Sequence, residues 1–427
     1  MARQGLAGGN RGQHELQDTA TPGTEGLVGS AGPGRTAVLA IASVIAVAFM
    51  GSVIVTPLYS LYEQKFGFSE ITLTLVYATY VVGNVVALLL FGQISDQIGR
   101  KRVALPALVL AALGALLFMF AASTPWLFLG RLLTGLAVGV ASGTGTAWLA
   151  EKYGPSGRST ATLAAATANL TGIALGPLLG GLLAQYAPSP LVLPFVAYIV
   201  LLMIVALAVA RVPETRRQPA RKLADVRVHP RIGVPRDRIG SFAAPAVTGF
   251  VTFALGGLYF ALIPSIVIHD LHDENVAAGG LVVVELGLIA ASFIVLARRV
   301  PAATAMTAGL VLLLPAVALV VSAQAIASMP LLLIATALAG VSMALGYRGS
   351  LQVVNEISPE DRRAEVVSTY YIACFVGNSL PVIGLGVLSA LTEPLLASVV
   401  FACTVAALSV AALAWRQQTD HATRPAG

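Results

Sequence analysis

Charge is what this sequence has least of. Only 11% of its 427 residues are Asp, Glu, Lys or Arg, against about a quarter in a soluble domain. With 57% hydrophobic residues and a mean hydropathy of +0.83, the chain is an integral membrane protein. Cysteine is nearly absent: Cys374 and Cys403 both fall inside apolar runs, which argues against a structural disulfide or a cysteine metal site. Of the five histidines, His14, His229, His269, His272 and His421, only His269 and His272 are neighbours. Beside Asp270, Asp273 and Glu274 they read as a solvated acidic loop, so no metal or other cofactor is expected. The chain has no G-x-x-x-x-G-K-[ST] loop to cradle phosphates, which excludes direct drive by ATP. No apolar run holds a nucleophile, a base and an orienting group at usable spacing, so the chain reads as a non-enzyme. The net charge of +6 does not mark a nucleic-acid partner, because the cations sit in short connections rather than over a domain surface.

What the chain has in quantity is apolar runs. Residues 1–36, rich in Gly, Thr and Ala, read as a disordered tail without a signal peptide. Six runs follow at about 37–60, 71–95, 103–123, 125–149, 159–186 and 190–210, each suited to a bilayer core of ~30 Å at ~1.5 Å per residue. Residues 211–240 break the series with Arg211, Arg216, Arg217, Arg221, Lys222 and further arginines among prolines. Six more runs lie at about 241–268, 277–297, 302–324, 329–350, 364–391 and 394–415, before a tail at 417–427. The expected fold is an all-α membrane protein of twelve transmembrane helices, in six-helix bundles over 37–210 and 241–416 joined by a basic linker. With both termini cytoplasmic, the only basic residue in an outer loop is Lys65, and Arg131 lies within a span; the rest of the 26 Lys and Arg fall on the inside or at its edge. A shift of 204 residues superposes Pro155 on Pro359, Arg158 on Arg362, Pro177 on Pro381 and Gly180 on Gly384. The halves therefore read as parallel repeats, an arrangement that places a central site between them.

Between the second and third runs stands Gly92-x-x-x-Asp96-x-x-Gly99-Arg100-Lys101, a tight charged loop at a membrane face. This spacing resembles the signature loop of the major facilitator superfamily. Span five carries Gly172-x-x-x-Gly176-Pro177-x-x-Gly180-Gly181, whose glycines share one face and whose proline removes a backbone hydrogen bond. As a string it resembles the antiporter-associated motif of that superfamily's proton-coupled exporters. In span four, Arg131-x-x-x-Gly135 resembles the family motif implicated in proton transfer, with Thr134 where the family usually has glutamine. The resemblance runs over about residues 37–416. It implies alternating access between the bundles, with Asp96 near the start of span eleven, where Ser358 and Pro359 open a helix, holding the halves together on the inside.

Buried charges mark the other candidates. Arg131 is costly in a span, by ~2.5–3.5 kcal/mol on insertion scales, so it faces a cavity or a partner or else snorkels to the outer surface. Glu285 is the only carboxylate well inside a span; burial disfavours its charged form, which makes it the expected proton carrier, level with Arg131, with a structural hydrogen bond as the competing role. Tyr77, Tyr80 and Asn84 share a face of span two, and with Asn169, Tyr370 and Asn378 they are candidates to line a cavity for a partly aromatic substrate. The expected function is proton-coupled export of small amphipathic compounds by a monomer in the plasma membrane. Its partners are then the lipid bilayer, a small-molecule substrate and protons. Uptake of a sugar or organic acid is the alternative, and a non-transporting membrane sensor a remote one.

Overall fold

The structure is a computed structural model that describes residues 34–91, 94–154, 157–215, 232–360 and 362–422. Gly92, Pro155, Asp361, most of the first tail and the linker arginines from Arg216 to Arg231 lie outside the described residues.

Every described element is helical, and twelve helices are long and apolar enough to cross a membrane. Span one is α1 (Arg35–Val53) continued, after a short turn at Thr56–Leu58, by α2 (Tyr59–Phe66). Span two is α3 (Glu70–Phe91); a single turn, α4 (Ile94–Ile98), leads to span three, α5 (Arg100–Met119). Spans four to six are α6 (Thr124–Tyr153), α7 (Arg158–Tyr186) and α8 (Leu193–Ala210). Span seven is α9 (Ile239–Ala261) continued by α10 (Ile263–His269), and span eight is α11 (Val276–Leu296). Spans nine to twelve are α12 (Ala302–Ala325), α13 (Met329–Ile357), α14 (Arg363–Leu391) and α15 (Pro394–Ala422).

Two differences from the sequence expectation have local causes. Spans one and seven, expected as unbroken runs, are each interrupted near the end remote from the Asp96 loop, beside Pro57 and Pro264 at the first turn of the continuing segment. Proline lacks the N–H that would carry the helix through. Spans four and ten run past their apolar stretches, to Tyr153 and Ile357. Polar residues near those ends are held by partners, as Glu151 is by Arg100, so burial of apolar surface is not needed to keep the helix. Gly154, at φ +70°, then ends span four in a conformation glycine adopts without strain.

Within the first half, span four is the hub, packing against spans one, two and three; span ten plays the same part in the second half, against spans seven, eight and nine. The halves meet along two seams, span five on span eight and span two on span eleven. These seams exchange under the repeat, since five corresponds to eleven and two to eight. That is the pattern of parallel repeats around an axis normal to the membrane. Alternation of the spans brings Arg35, Arg100, Lys152, Arg211, Arg298, Arg363 and Arg416 to one face, here called the basic face, and leaves Lys65 on the far face.

Candidate functional site

The loop between spans two and three is built around a buried guanidinium. The Arg100 side chain is 6% exposed and pairs with Asp96, which is half-exposed, one turn back. Its Nη2 also donates to Glu151 Oε1 at 2.7 Å, its Nε to the same oxygen at 3.1 Å, and its Nη1 to Ser95 Oγ at 2.6 Å. The Glu214 carboxylate, beyond span six, accepts the backbone N–H groups of Arg100 at 2.9 Å and Lys101 at 3.0 Å. A negative charge on the free amides of a helix start satisfies orphan donors and complements the helix dipole. Lys101 Nζ in turn donates to the Ala210 carbonyl at the end of span six, at 2.9 Å. Gly99 is fixed twice over. Its φ is +117°, and a Cβ there would stand 2.7 Å from Glu214 Oε2. Asp96, Gly99, Arg100 and Lys101 therefore join the ends of spans four and six. In this conformation Asp96 is committed to Arg100.

Arg131 is fully enclosed and does not snorkel. Its guanidinium bonds to the Tyr59 hydroxyl and the Ser52 carbonyl, both of span one. Its Cζ lies 5.0 Å from the ring centroid of Tyr59, 5.7 Å from those of Tyr77 and Tyr80, and 6.0 Å from that of Phe118. A cation among aromatic faces is stabilised by their quadrupoles without a counter-charge. Nη2 has no hydrogen-bond partner among the described residues. Thr134 is turned to its own helix, donating to the Arg131 carbonyl at 3.0 Å.

Two of the rings around Arg131 cross to the other half. Tyr77 donates to Asn378 Oδ1 at 2.9 Å and Tyr80 to the same oxygen at 2.8 Å, while Asn378 Nδ2 donates to the Phe253 carbonyl at 3.1 Å. Tyr77, Asn84, Tyr370 and Asn378 are all buried, and Tyr80 is partly exposed. Tyr370 sits within the second half, bonded to Ser350 Oγ at 2.7 Å. Asn169 Oδ1 is enclosed without a partner among the described residues. The structure does not bring Glu285 to Arg131: among the described residues Glu285 pairs with no cation, and its enclosed Oε2 accepts no hydrogen bond.

The glycines of span five divide between two neighbours. Gly172, Gly176 and Gly180 lie against the backbone of span one, where a Cβ on Gly176 would approach the Met50 carbonyl to 2.6 Å. Gly181 faces span eight, 3.2 Å from Ala277 Cα by the same measure, and a Cβ on Gly280 would meet the Pro177 carbonyl at 2.8 Å. Further towards the far face, Val276 N–H donates to Gln185 Oε1 at 2.9 Å and Asn275 Nδ2 to the Tyr186 hydroxyl at 3.3 Å. At the second seam Gly386 lies against Thr74. The halves are closed on one another from mid-depth to the far face.

Several residues of the site escaped the sequence reading. Glu151 and Glu214 look like ordinary helix-end charges until the fold brings them to Arg100. Phe253, Tyr347 and Phe375, on three different spans, form one partly exposed aromatic wall with Tyr371, with neighbouring centroids 5.6–6.4 Å apart. No spacing within a single span announces it.

Two six-helix bundles that meet along two seams, closed on one side of a mid-depth polar bridge, have the architecture of an alternating-access membrane transporter. A sequence profile described as the Major Facilitator Superfamily matches residues 41–382. The chain belongs to that superfamily, whose members are transporters and not enzymes. It is similar to the bacillibactin exporter of Bacillus subtilis, 29% identical over 156 residues that cover 35% of this chain and 39% of the exporter. It is also similar to the mouse solute carrier family 2 facilitated glucose transporter member 10, 32% identical over 96 residues covering 22% of this chain and 18% of that protein. The aligned part is thus less than two fifths of the length of either relative. In fold it is similar to a bacterial homologue of the human lysosomal transporter Spinster, solved in an inward-facing, unoccupied conformation, with a TM-score of 0.69, 16% identity, and coverage of 91% of this chain and 98% of that one.

Proposed function

We propose that this transporter exports small amphipathic compounds in exchange for protons across the plasma membrane, working as a monomer with both termini in the cytoplasm. The observation that carries the reading is the span five to span eight seam. There the exporter-like string from Gly172 to Gly181 lets helix backbones of the two halves touch at Pro177 and Gly280. Similarity to the bacillibactin exporter supports the same direction. Similarity to a glucose transporter favours uptake of a metabolite as the second reading, but a sugar needs convergent hydrogen-bond partners, and the partly exposed side chains next to the seam on spans seven, ten and eleven are the rings of Phe253, Tyr347, Tyr371 and Phe375.

With the basic face cytoplasmic, as the distribution of cations supports, the far-closed conformation is the inward-facing one. The bundles are residues 37–210 and 241–416, with 211–240 as the cytoplasmic linker and 1–36 and 417–427 as tails. Asp96 is the gate charge. Held by Arg100 here, it is released to the amino end of span eleven when the basic face closes, where an anion meets the positive end of a helix. Gly99, at φ +117°, lets the loop turn beneath it. Glu285 carries the proton: an enclosed carboxylate oxygen without a donor is tolerated when the group is neutral. Arg131, caged in the first half, supplies a fixed positive potential rather than an ion pair in this state.

The test is accumulation of a fluorescent amphipathic dye in cells making the protein, with and without a protonophore, beside Asp96→Asn. Lower accumulation, reversed by both the protonophore and the substitution in protein that folds and inserts normally, is the expected result. Normal turnover in Asp96→Asn refutes the gating role. Unchanged proton dependence in Glu285→Gln removes the carrier role.

A further inference from the structure

The wall formed by Phe253 of span seven, Tyr347 of span ten and Tyr371 and Phe375 of span eleven has a position and a chemistry that the gate and the proton path do not use. Asn378, the bridge between halves, lies three residues beyond Phe375 on the same helix. At ~1.5 Å per residue the wall therefore starts about 5 Å from the closed seam and ends about 10 Å from it, towards the basic face. On span seven, Thr252 is turned to span ten, where it meets Gly346, and Gly257 to span eleven, where it meets Asn378. Val251 and Leu255, on the opposite face, are fully buried. Phe253 stands between spans ten and eleven, so its partial exposure looks into the space between the halves.

Phe253, Tyr347 and Tyr371 pack on a buried cluster that includes Tyr370 and Cys374, and keep part of their surface open. Phe253 lies tilted to Tyr347 at 5.6 Å and edge-on to Phe375 at 5.7 Å, and Tyr371 lies nearly parallel to Phe375 at 6.4 Å. All four remain partly exposed. The hydroxyls of Tyr347 and Tyr371 are 3.1 Å apart. When one donates to the other, the acceptor keeps a proton to give. Neighbouring Arg348 turns away, donating to the Arg298 and Val300 carbonyls at 2.8 and 3.1 Å, and the wall contains no carboxylate. It therefore offers π-faces and edges, which attract an aromatic ring or a cation alike, together with one hydroxyl donor that only an acceptor can use.

We propose that this wall is the substrate subsite, and that it selects planar aromatic compounds bearing an oxygen acceptor at the ring edge, such as a carbonyl, nitro or phenolate oxygen. The inference rests on the reading of the chain as an exporter of amphipathic compounds, and it names the chemistry that such an exporter selects.

Equilibrium binding to the purified full-length protein, without any gradient, tests the site apart from direction and coupling. Three bicyclic probes of similar size separate the terms: coumarin, with a carbonyl acceptor; naphthalene, without one; and N-methylquinolinium, a cation. Coumarin is expected to bind about fivefold more tightly than naphthalene, as one net hydrogen bond implies. The double variant Tyr347→Phe, Tyr371→Phe, which keeps both rings, brings coumarin down to the naphthalene level, whereas either single variant leaves one hydroxyl to donate. Phe253→Leu and Phe375→Leu each weaken coumarin and naphthalene by about fivefold, as loss of an aromatic pair implies. Tyr198→Phe, whose hydroxyl donates to the Val47 carbonyl within the first half, leaves all three unchanged. Tightest binding of N-methylquinolinium overturns the assigned chemistry, and indifference of all three probes to Phe253→Leu in well-folded protein overturns the site. If binding follows the expected pattern while dye export shows no proton dependence, the coupling reading fails and the subsite stands.

Discussion

Removing two hydroxyl groups should open the far face of this transporter. In the double variant Tyr77→Phe, Tyr80→Phe, the rings stay 5.7 Å from the Arg131 guanidinium, so the cation keeps its aromatic surroundings. What is lost are the bonds of 2.9 and 2.8 Å to Asn378 Oδ1, which join span two to span eleven. Hydrogen bonds between membrane helices contribute about 0.6 kcal/mol on average and up to ~1.7 kcal/mol. Together the pair is worth about 1–3 kcal/mol, and the equilibrium between far-closed and far-open forms should move by about 5- to 150-fold. Spin labels at Gln64 and Glu274, both exposed and on opposite halves of the far face, report that equilibrium through their distance distribution, in a background with Cys374 and Cys403 replaced by alanine. A longer-distance population should grow in the double variant, and each single variant should show part of the change. An unaltered distribution in protein that melts at the parental temperature would refute the bridge as a determinant of the closed state.

Three further expectations use other parts of the structure. Arg100→Leu removes the hydrogen bonds of a buried guanidinium to Asp96, Glu151 and Ser95, and because both carboxylates keep access to solvent, thermal unfolding in detergent should show a loss of about 1–3 kcal/mol. Gly280→Val places a side chain against the Pro177 carbonyl between the halves and should bias the spin-label distances towards the far-open form without lowering yield, whereas Gly176→Val, against Met50 within the first half, should lower yield and melting temperature. Asp270 is half-buried on the far face and its Oδ2 accepts from Gln324 Nε2 at 2.8 Å; burial holds its carboxyl above the usual range, against the opposing pull of Gln324, His269 and His272. A raised value in the packed state means that protonation favours packing, so this contribution to stability is gained as pH falls through the shifted value and lost as pH rises through it. Asp270→Asn should flatten the slope of melting temperature against pH in acid, and an unchanged slope would refute the assignment.

How much of this was legible in the chain depends on the distance over which each signal acts. Twelve spans, two halves and the crowding of cations at one face follow from apolar runs and short connections, which are properties of single helices and their ends. The loop from Asp96 to Lys101 was legible for the same reason: its partners at Ser95 and Arg100 lie within a turn or two. Arg131 was legible as a buried cation but not as a caged one, because Tyr59, Tyr77 and Phe118 come from three other spans. Glu285 was expected level with Arg131 on depth alone, and depth along the membrane normal says nothing about which way a helix turns its face. Glu151 and Glu214 become partners of the loop only when spans four and six end beside the start of span three.

The same limit explains why one asparagine turned out to organise the centre. On its helix Asn378 is a lone polar residue in an apolar stretch, and its obligation to satisfy both an acceptor and two donors is only a constraint until partners are found. The fold supplies them from two directions. Tyr77 and Tyr80 arrive from the first half and the Phe253 carbonyl from the second. Phe253 thereby carries the bridge into the aromatic wall, and the rings that cage Arg131 carry it into the first half. Asn378 thus ties the backbone of span seven to the two span-two rings that face Arg131, and the closed seam rests on that one side chain from both directions.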